Sequence, residues 1–462
     1  MRARGRKRPT GRRDRVAWYE SAAAMFRFRQ IAARVGVSLP FRILVAVACL
    51  VVHLVMLEKL AHDRFDWKFD QSPATAPGFA DPHGGVHDWD RLIVSRWDSE
   101  HYEGLALRGF TMCKDKDQLP KGAFPDDDHA CQLGFYPGYP LIGRAVMKVL
   151  HVPIDYALFY VSLAASFLFL LMWTSRPMIE GLGLGGTYLS LLLFNTFTSG
   201  FTLVTVYTEP CLLALSLAAF LCLHKRWLLV GALLAGAATV MRITGAATGF
   251  AYCAGLLVLT LMEHPKPNRV WWWRAALAPI SGWGVIALMG YFQHRFGDAL
   301  IYGHAHVRAY GYAVGLAKVL IPDGRLLMQS IWAEPYDGIF LAAALLWFAL
   351  GHKQGLRRFK PESRAYWYTF YFGVVGLTIY GSVSCAYCGS TRYMLVALPL
   401  FFAMAGIMKN RPVVLALWLF MSTMHYYHGS ACVYLSQRVP DRRHKCTLPL
   451  EYRSSDLAAG KE

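Results

Sequence analysis

Long apolar runs separated by short charged stretches constrain this chain more than any other feature. The first run begins after Arg42 and reaches about His62. A helix needs roughly 20 mostly apolar residues to cross a bilayer's hydrocarbon core. Comparable runs recur near 42–61, 154–174, 183–199, 209–224, 227–241, 246–262, 272–292, 337–351, 366–383, 393–408 and 412–428. Charged residues make up only 17% of the chain and hydrophobic ones 55%, whereas a soluble domain is about a quarter charged. The pattern predicts an all-α polytopic membrane protein with about 11 transmembrane helices. A cleaved signal peptide would have a shorter apolar core and a small-residue cleavage site, so the first run is expected to be an uncleaved span. Arg242 to Gly245 is expected to form the turn between two short spans.

The net charge of +18 raises nucleic acid as a partner, but its distribution argues against one. Residues 1–42 hold twelve Arg/Lys against Asp14 and Glu20, as a cytoplasmic tail under the positive-inside rule does. With the N-terminus inside, the loops 175–182, 224–226, 263–271, 352–364 and 409–411 are also cytoplasmic. They are rich in Arg and Lys and opposed only by Glu180, Glu263 and Glu362. Residues 61–134 differ, holding fourteen of the thirty acidic residues and eight Arg/Lys. The expected organisation is a basic tail over 1–41, a transmembrane domain over 42–430 and a polar C-terminal tail over 431–462. Within the domain, 61–153 is the first extracytoplasmic loop and 293–336 the second large one. An odd span count places the C-terminus outside, which its basic patch Arg442-Arg443-His444-Lys445 fits poorly. Cys113 and Cys131 fall outside and are able to form a disulfide there. Cys385 and Cys388 read as a structural disulfide or free thiols rather than a redox or metal pair.

The chemistry-bearing motifs lie in the extracytoplasmic loops or at outer span ends. Arg96-Trp97-Asp98 begins a short amphipathic helix whose Trp97, Tyr102, Leu105 and Ala106 are expected to face the membrane. Asp98 reads as a helix cap or as a base for an acceptor hydroxyl, kept ionised by the helix start and Arg96. Phe135-Tyr136-Pro137-Gly138-Tyr139-Pro140 makes a rigid start to the next helix. It reads as an interfacial aromatic belt or one wall of a substrate groove. Tyr207-Thr208-Glu209 opens a span and Arg242 interrupts an apolar stretch. Ionisable groups at that depth face a cavity or a partner, so Glu209 and Arg242 either pair or leave Arg242 to hold a phosphate. Asp298 opens the second large loop, and Arg392-Tyr393 opens a late span as a second phosphate candidate. His304 and His306 lack supporting carboxylates for a zinc site.

In order, these are a WD-x-x-x-Y segment, F-Y-P-x-Y-P, Y-x-E, an Arg after a Gly/Ala-rich span, GD-x-L and a late R-Y. Together they resemble the PIG-V-type mannosyltransferases and their bacterial relatives, integral membrane glycosyltransferases of the GT-C superfamily, over about residues 40–430. The resemblance implies a GT-C-like bundle with amphipathic helices in the first extracytoplasmic loop. It implies inverting transfer of a sugar, typically mannose, from a polyprenyl-phosphate donor of the dolichyl-phosphate type to a lipid, glycan or protein acceptor. Asp98 carries over as the base. Arg96, Tyr102, Tyr136, Tyr139, Glu209, Arg242, Asp298, Arg392 and Tyr393 carry over as donor or acceptor contacts. The chain departs from the bacterial Phe-Phe-Pro-Leu-Tyr-Pro at Tyr136 and Gly138, and from Arg-Pro-Thr-Gly at Ile243.

Multi-pass insertion in a bacterial inner membrane or the ER is expected, with the active site on the extracytoplasmic face and membrane lipids as partners. Nucleotide sugars do not reach that face, so the donor must arrive on a lipid. Its phosphate leaves without protonation and needs only cationic stabilisation. No DxD stands near Asp98, so no essential metal or other cofactor is expected, and Asp126 to Asp128 read as a solvated tip. The competing readings are a polytopic transporter or flippase, opposed by the long first loop and the lack of an inverted repeat, and a non-catalytic GT-C relative.

Overall fold

The structure is a computed structural model that describes residues 35–64, 98–110, 132–197, 199–303, 335–385 and 390–435. All regular structure among the described residues is helical. The chain runs α1 (Leu39–Arg64), α2 (Asp98–Arg108), α3 (Gly138–Leu150), α4 (Ile154–Trp173), α5 (Arg176–Leu182), α6 (Leu184–Asn195), α7 (Glu209–His224) and α8 (Leu228–Thr239). It continues through α9 (Ala246–Glu263), α10 (Arg269–Ile280), α11 (Trp283–Phe296), α12 (Pro335–Leu356), α13 (Pro361–Cys385), α14 (Ser390–Val396), α15 (Leu398–Met408) and α16 (Pro412–Leu435).

Three stretches among the described residues are long and apolar enough to cross a membrane: Leu39–Lys59, Ile154–Trp173 and Ile243–Glu263. Two bent pairs, α5 with α6 and α10 with α11, raise the number to five if each pair is one span. The runs at 183–199 and 272–292 are therefore not the straight spans expected from hydropathy. The first pair turns by 100° and the second by 51°. At the sharper bend Gly183 adopts φ +75°, a left-handed conformation that only glycine takes without strain.

Polarity is arranged for an apolar surrounding. Leu44, Phe250 and Phe420 turn outward at 62%, 67% and 65% exposure, while Ser162, Ser166, Ser190, Ser216 and Thr248 are buried. The buried hydroxyls donate to backbone carbonyls or pair with each other, as Ser216 Oγ and Thr248 Oγ1 do at 2.6 Å. Such pairing is obligatory where no water is available. The centre is aromatic: Trp173, Phe194, Phe220, Trp367 and Phe402 are all fully buried. Close helix contact uses glycine: a Cβ on Gly351 or Gly355 of α12 would meet the Ala403 or Phe402 carbonyl of α15 at 2.3 or 2.4 Å. Small residues let helices approach this closely in lipid.

The bundle has two polar ends. At one, Arg226 pairs with Glu362 at 3.1 Å and with Glu263 at 3.2 Å, and Arg274 reaches Glu263 at 2.5 Å. These charges come from the turn after α7, the finish of α9, the middle of α10 and the start of α13. The other end gathers the starts of α2, α7 and α14 and the turn before α9.

Candidate functional site

Helix α2 lies across this second end. Its Ser99 Oγ donates to the Val206 carbonyl at 3.1 Å, and Arg144 of α3 donates to Leu107 O at 2.9 Å. Its apolar face does not meet the membrane as expected. Tyr102, Leu105 and Ala106 are 4%, 5% and 1% exposed, because α2 packs that face on α3 and α4. A helix with ordered protein above its neighbours' ends buries more apolar area by facing them.

Asp98, the first residue of α2, directs its carboxylate at Arg392, with Oδ2 2.7 Å from a guanidinium nitrogen. Arg392 Nε lies 2.9 Å from Glu209 Oε1, off the line a hydrogen bond needs. Glu209 Oε1 also accepts from Arg242. The result is a chain of alternating charge, Asp98–Arg392–Glu209–Arg242, drawn from four sequence regions and neutral in sum. Of the two expectations for Glu209 and Arg242, mutual pairing is the one observed. Glu209 is fully buried and Arg242 nearly so, and a lone charge at that depth would be costly.

Aromatic rings wall the cluster. The Arg242 guanidinium sits 4.3 Å from the Tyr393 ring centroid, and Arg392 sits 5.0 Å from that of Tyr207, both within cation–π range. Tyr102 packs edge-on against Phe135 and Tyr139. Burial alone would push the Asp98 carboxyl up. Arg392, then Arg242 and His101, outweigh it and hold the group below its ordinary value, so it is ionised at neutral pH.

Two of the expected contact residues bond to neighbouring protein groups. Tyr139 is fully buried, and its hydroxyl bonds Leu158 O and Ser162 Oγ, each at 2.8 Å. It fastens α3 to α4 and presents no polar atom to a ligand. Asp298 Oδ1 accepts from the Leu300 amide at 2.9 Å, forming a local turn. Tyr136 packs against Tyr302 at 4.8 Å. Tyr302, which the motifs did not single out, interacts electrostatically with Tyr393, Arg242 and Tyr102. So does Tyr207 with Asp98 and Arg392. The signal for Tyr302 was present as an aromatic residue four positions past Asp298. Arg96, the cysteines 113, 131 and 388, the acidic residues 126–128 and the histidines 304 and 306 lie outside the described residues.

Gly138, where the chain departs from the bacterial motif, has a backbone role. Its amide donates to Val240 O at 3.0 Å, and a Cβ there would meet that oxygen at 2.7 Å. This contact joins the aromatic-Pro segment to the stretch that carries Arg242. No protein-family model matches the sequence, and no curated protein matches it either.

Proposed function

We propose that the protein is a GT-C-type glycosyltransferase that moves a hexose, typically mannose, from a polyprenyl-phosphate donor to an acceptor hydroxyl. The observation that carries this reading is convergence. Motifs at 98–102, 135–140, 207–209, 242 and 392–393 meet in one cluster although they span nearly 300 residues of sequence. In this reading the ionised Asp98 takes the proton from the acceptor hydroxyl as its oxygen bonds to the sugar's anomeric carbon. The carbon–oxygen bond to the donor phosphate breaks on the opposite face. The electron pair leaves with the phosphate, and the configuration inverts. Arg392 and Arg242 each keep N–H donors beyond those their carboxylate partners occupy, and those donors suit the phosphate oxygens.

The finer topology belongs to the same proposal: eleven spans, a cytoplasmic N-terminus and a site on the extracytoplasmic face. It draws support from the alternation of helix ends, with Arg226, Glu263 and Glu362 opposite Asp98, Glu209, Arg242 and Arg392. A transporter would place its polar site near mid-depth between related halves. Here the charges gather at helix ends, which favours a surface reaction. The test is transfer by the purified protein in liposomes supplied with polyprenyl-phosphate mannose and extracted membrane acceptors. Asp98→Asn is expected to lower the rate at least about a hundredfold. Wild-type rates in that variant would remove Asp98 as the base, and no transfer by the wild type with any acceptor extract would refute the function.

A further inference from the structure

The end of the bundle opposite the Asp98 cluster carries a cavity of about 550 Å³ between the starts of α1 and α5 and the ends of α4 and α7. Its cations are Arg42, Arg176 and Lys225 and its acid is Glu180, leaving +2 with His224 neutral. The lone acid is already used, since Glu180 holds Arg176 Nε at 2.8 Å and lies 3.8 Å from His224 Nε2. Arg42 donates at 3.2 Å to Thr174 Oγ1 and at 2.7 Å to Leu171 O. Both acceptors are neutral, so its charge is held in place with no carboxylate partner among the described residues. Lys225 sits over the Trp227 ring at 5.1 Å, again without a carboxylate partner among the described residues.

Two buried polar atoms of the lining, Ser175 Oγ and His224 Nδ1, have no hydrogen-bond partner among the described residues. Buried polar atoms are normally satisfied by protein, water or an ion. The rest of the lining is apolar, from Leu171, Met172, Pro177 and Leu221. A pocket with cations and two unpartnered polar atoms beside an apolar wall has the composition of a site for a phosphate attached to hydrocarbon. Basic pockets between spanning helices on the cytoplasmic side hold anionic headgroups in this way.

We infer that this cavity binds the phosphate of an anionic lipid, with Arg42 and Lys225 on the phosphate oxygens, Ser175 and His224 as hydrogen-bond partners, and Leu171, Met172 and Leu221 against the glycerol and first acyl carbons. The inference rests on reading this end of the bundle as a membrane boundary and is independent of the transferase reading. The test uses the full chain in phosphatidylcholine nanodiscs with increasing phosphatidic acid, reading the mole fraction that half-saturates a rise in thermal midpoint. A parallel series adds inorganic phosphate to nanodiscs of phosphatidylcholine alone.

Saturable stabilisation by phosphatidic acid is expected. Arg42→Gln with Lys225→Gln should raise the half-saturating fraction roughly 30-fold, at about fivefold for each basic residue at the headgroup plane. Lys409→Gln with Arg411→Gln removes the same charge from exposed residues of the same end and should leave the fraction unchanged. Ser175→Phe, which fills the cavity and keeps every charge, should abolish saturation and covers the case in which loss of Arg42 unfolds the chain. Equal stabilisation by inorganic phosphate alone would keep the phosphate site and assign its ligand to solution. Equal curves for the wild type, the pocket variants and the control pair would overturn the site.

Discussion

Arg242→Gln isolates what the charge chain contributes to stability. Glu209 is 0% exposed and the Arg242 side chain 9% exposed, so solvent screens neither charge appreciably. Removing the guanidinium leaves a buried carboxylate whose remaining cation is Arg392, 2.9 Å away but off the hydrogen-bonding line. Breaking a buried pair from one side typically costs 3–5 kcal/mol. The partial compensation by Arg392 places the expected loss near the lower end, at about 3 kcal/mol, a shift of roughly a hundredfold in the folded-to-unfolded ratio. The double variant Arg242→Gln, Glu209→Gln removes the stranded charge and should recover at least half of that loss. The assay is thermal unfolding in nanodiscs followed by the fluorescence of the fourteen tryptophans. The order of midpoints should be wild type, then double variant, then Arg242→Gln. Identical midpoints for the single and double variants would refute the argument, because they would mean that Glu209 carries no uncompensated charge once Arg242 is gone.

Asp98 has a depressed folded-state value. Its stabilising contribution is therefore complete above the unfolded value of about 3.9 and is lost as pH falls through the folded one. In transfer assays the acid limb of the wild-type profile should lie below the ordinary carboxylate range. Arg392→Gln, which removes the largest lowering influence, should move that limb to higher pH, and an unmoved limb would detach Asp98 from the rate. Gly138→Leu restores the residue usual in the resembling bacterial motif but drives a Cβ to 2.7 Å from Val240 O. Overpacking of about 1–3 kcal/mol should lower the thermal midpoint, and an unchanged midpoint would show that the two segments separate freely. Tyr139→Phe should cost about 1 kcal/mol for its lost buried hydrogen bonding while leaving transfer per folded molecule intact, and a large fall in transfer at normal stability would return Tyr139 to the site.

Much of the helical layout could be read locally. The runs at 154–174, 209–224 and 246–262 appear as Ile154–Trp173, Glu209–His224 and Ala246–Glu263, because hydropathy over a window reports directly on burial in apolar surroundings. The bends were not legible in that signal. Gly183 and the Pro279 to Gly282 stretch alter backbone direction without altering hydropathy. The face of α2 was misread for a related reason. Apolar residues at helical spacing specify that a face is buried, but not whether protein or lipid covers it, and α3 and α4 supply the cover.

The Asp98 neighbourhood shows the same division. Residue type and position marked Asp98, Glu209, Arg242 and Arg392 as ionisable groups beside apolar stretches, where desolvation forces each to find a partner or a ligand. Which partner each found depended on the packing of α2 against α3 and α4, which brings Asp98 to Arg392 at the start of α14. Arg392 and Asp98 are nearly 300 residues apart, and no local pattern encodes a 2.7 Å contact over that separation. Tyr139 went the other way, from a candidate contact to a core fastening, once α4 offered Leu158 O and Ser162 Oγ. Sequence determined which groups had to be satisfied, since the cost of burying a charge or hydroxyl is a property of the group. Tertiary structure alone decided what satisfies them, since that depends on which helix ends the packing brings together.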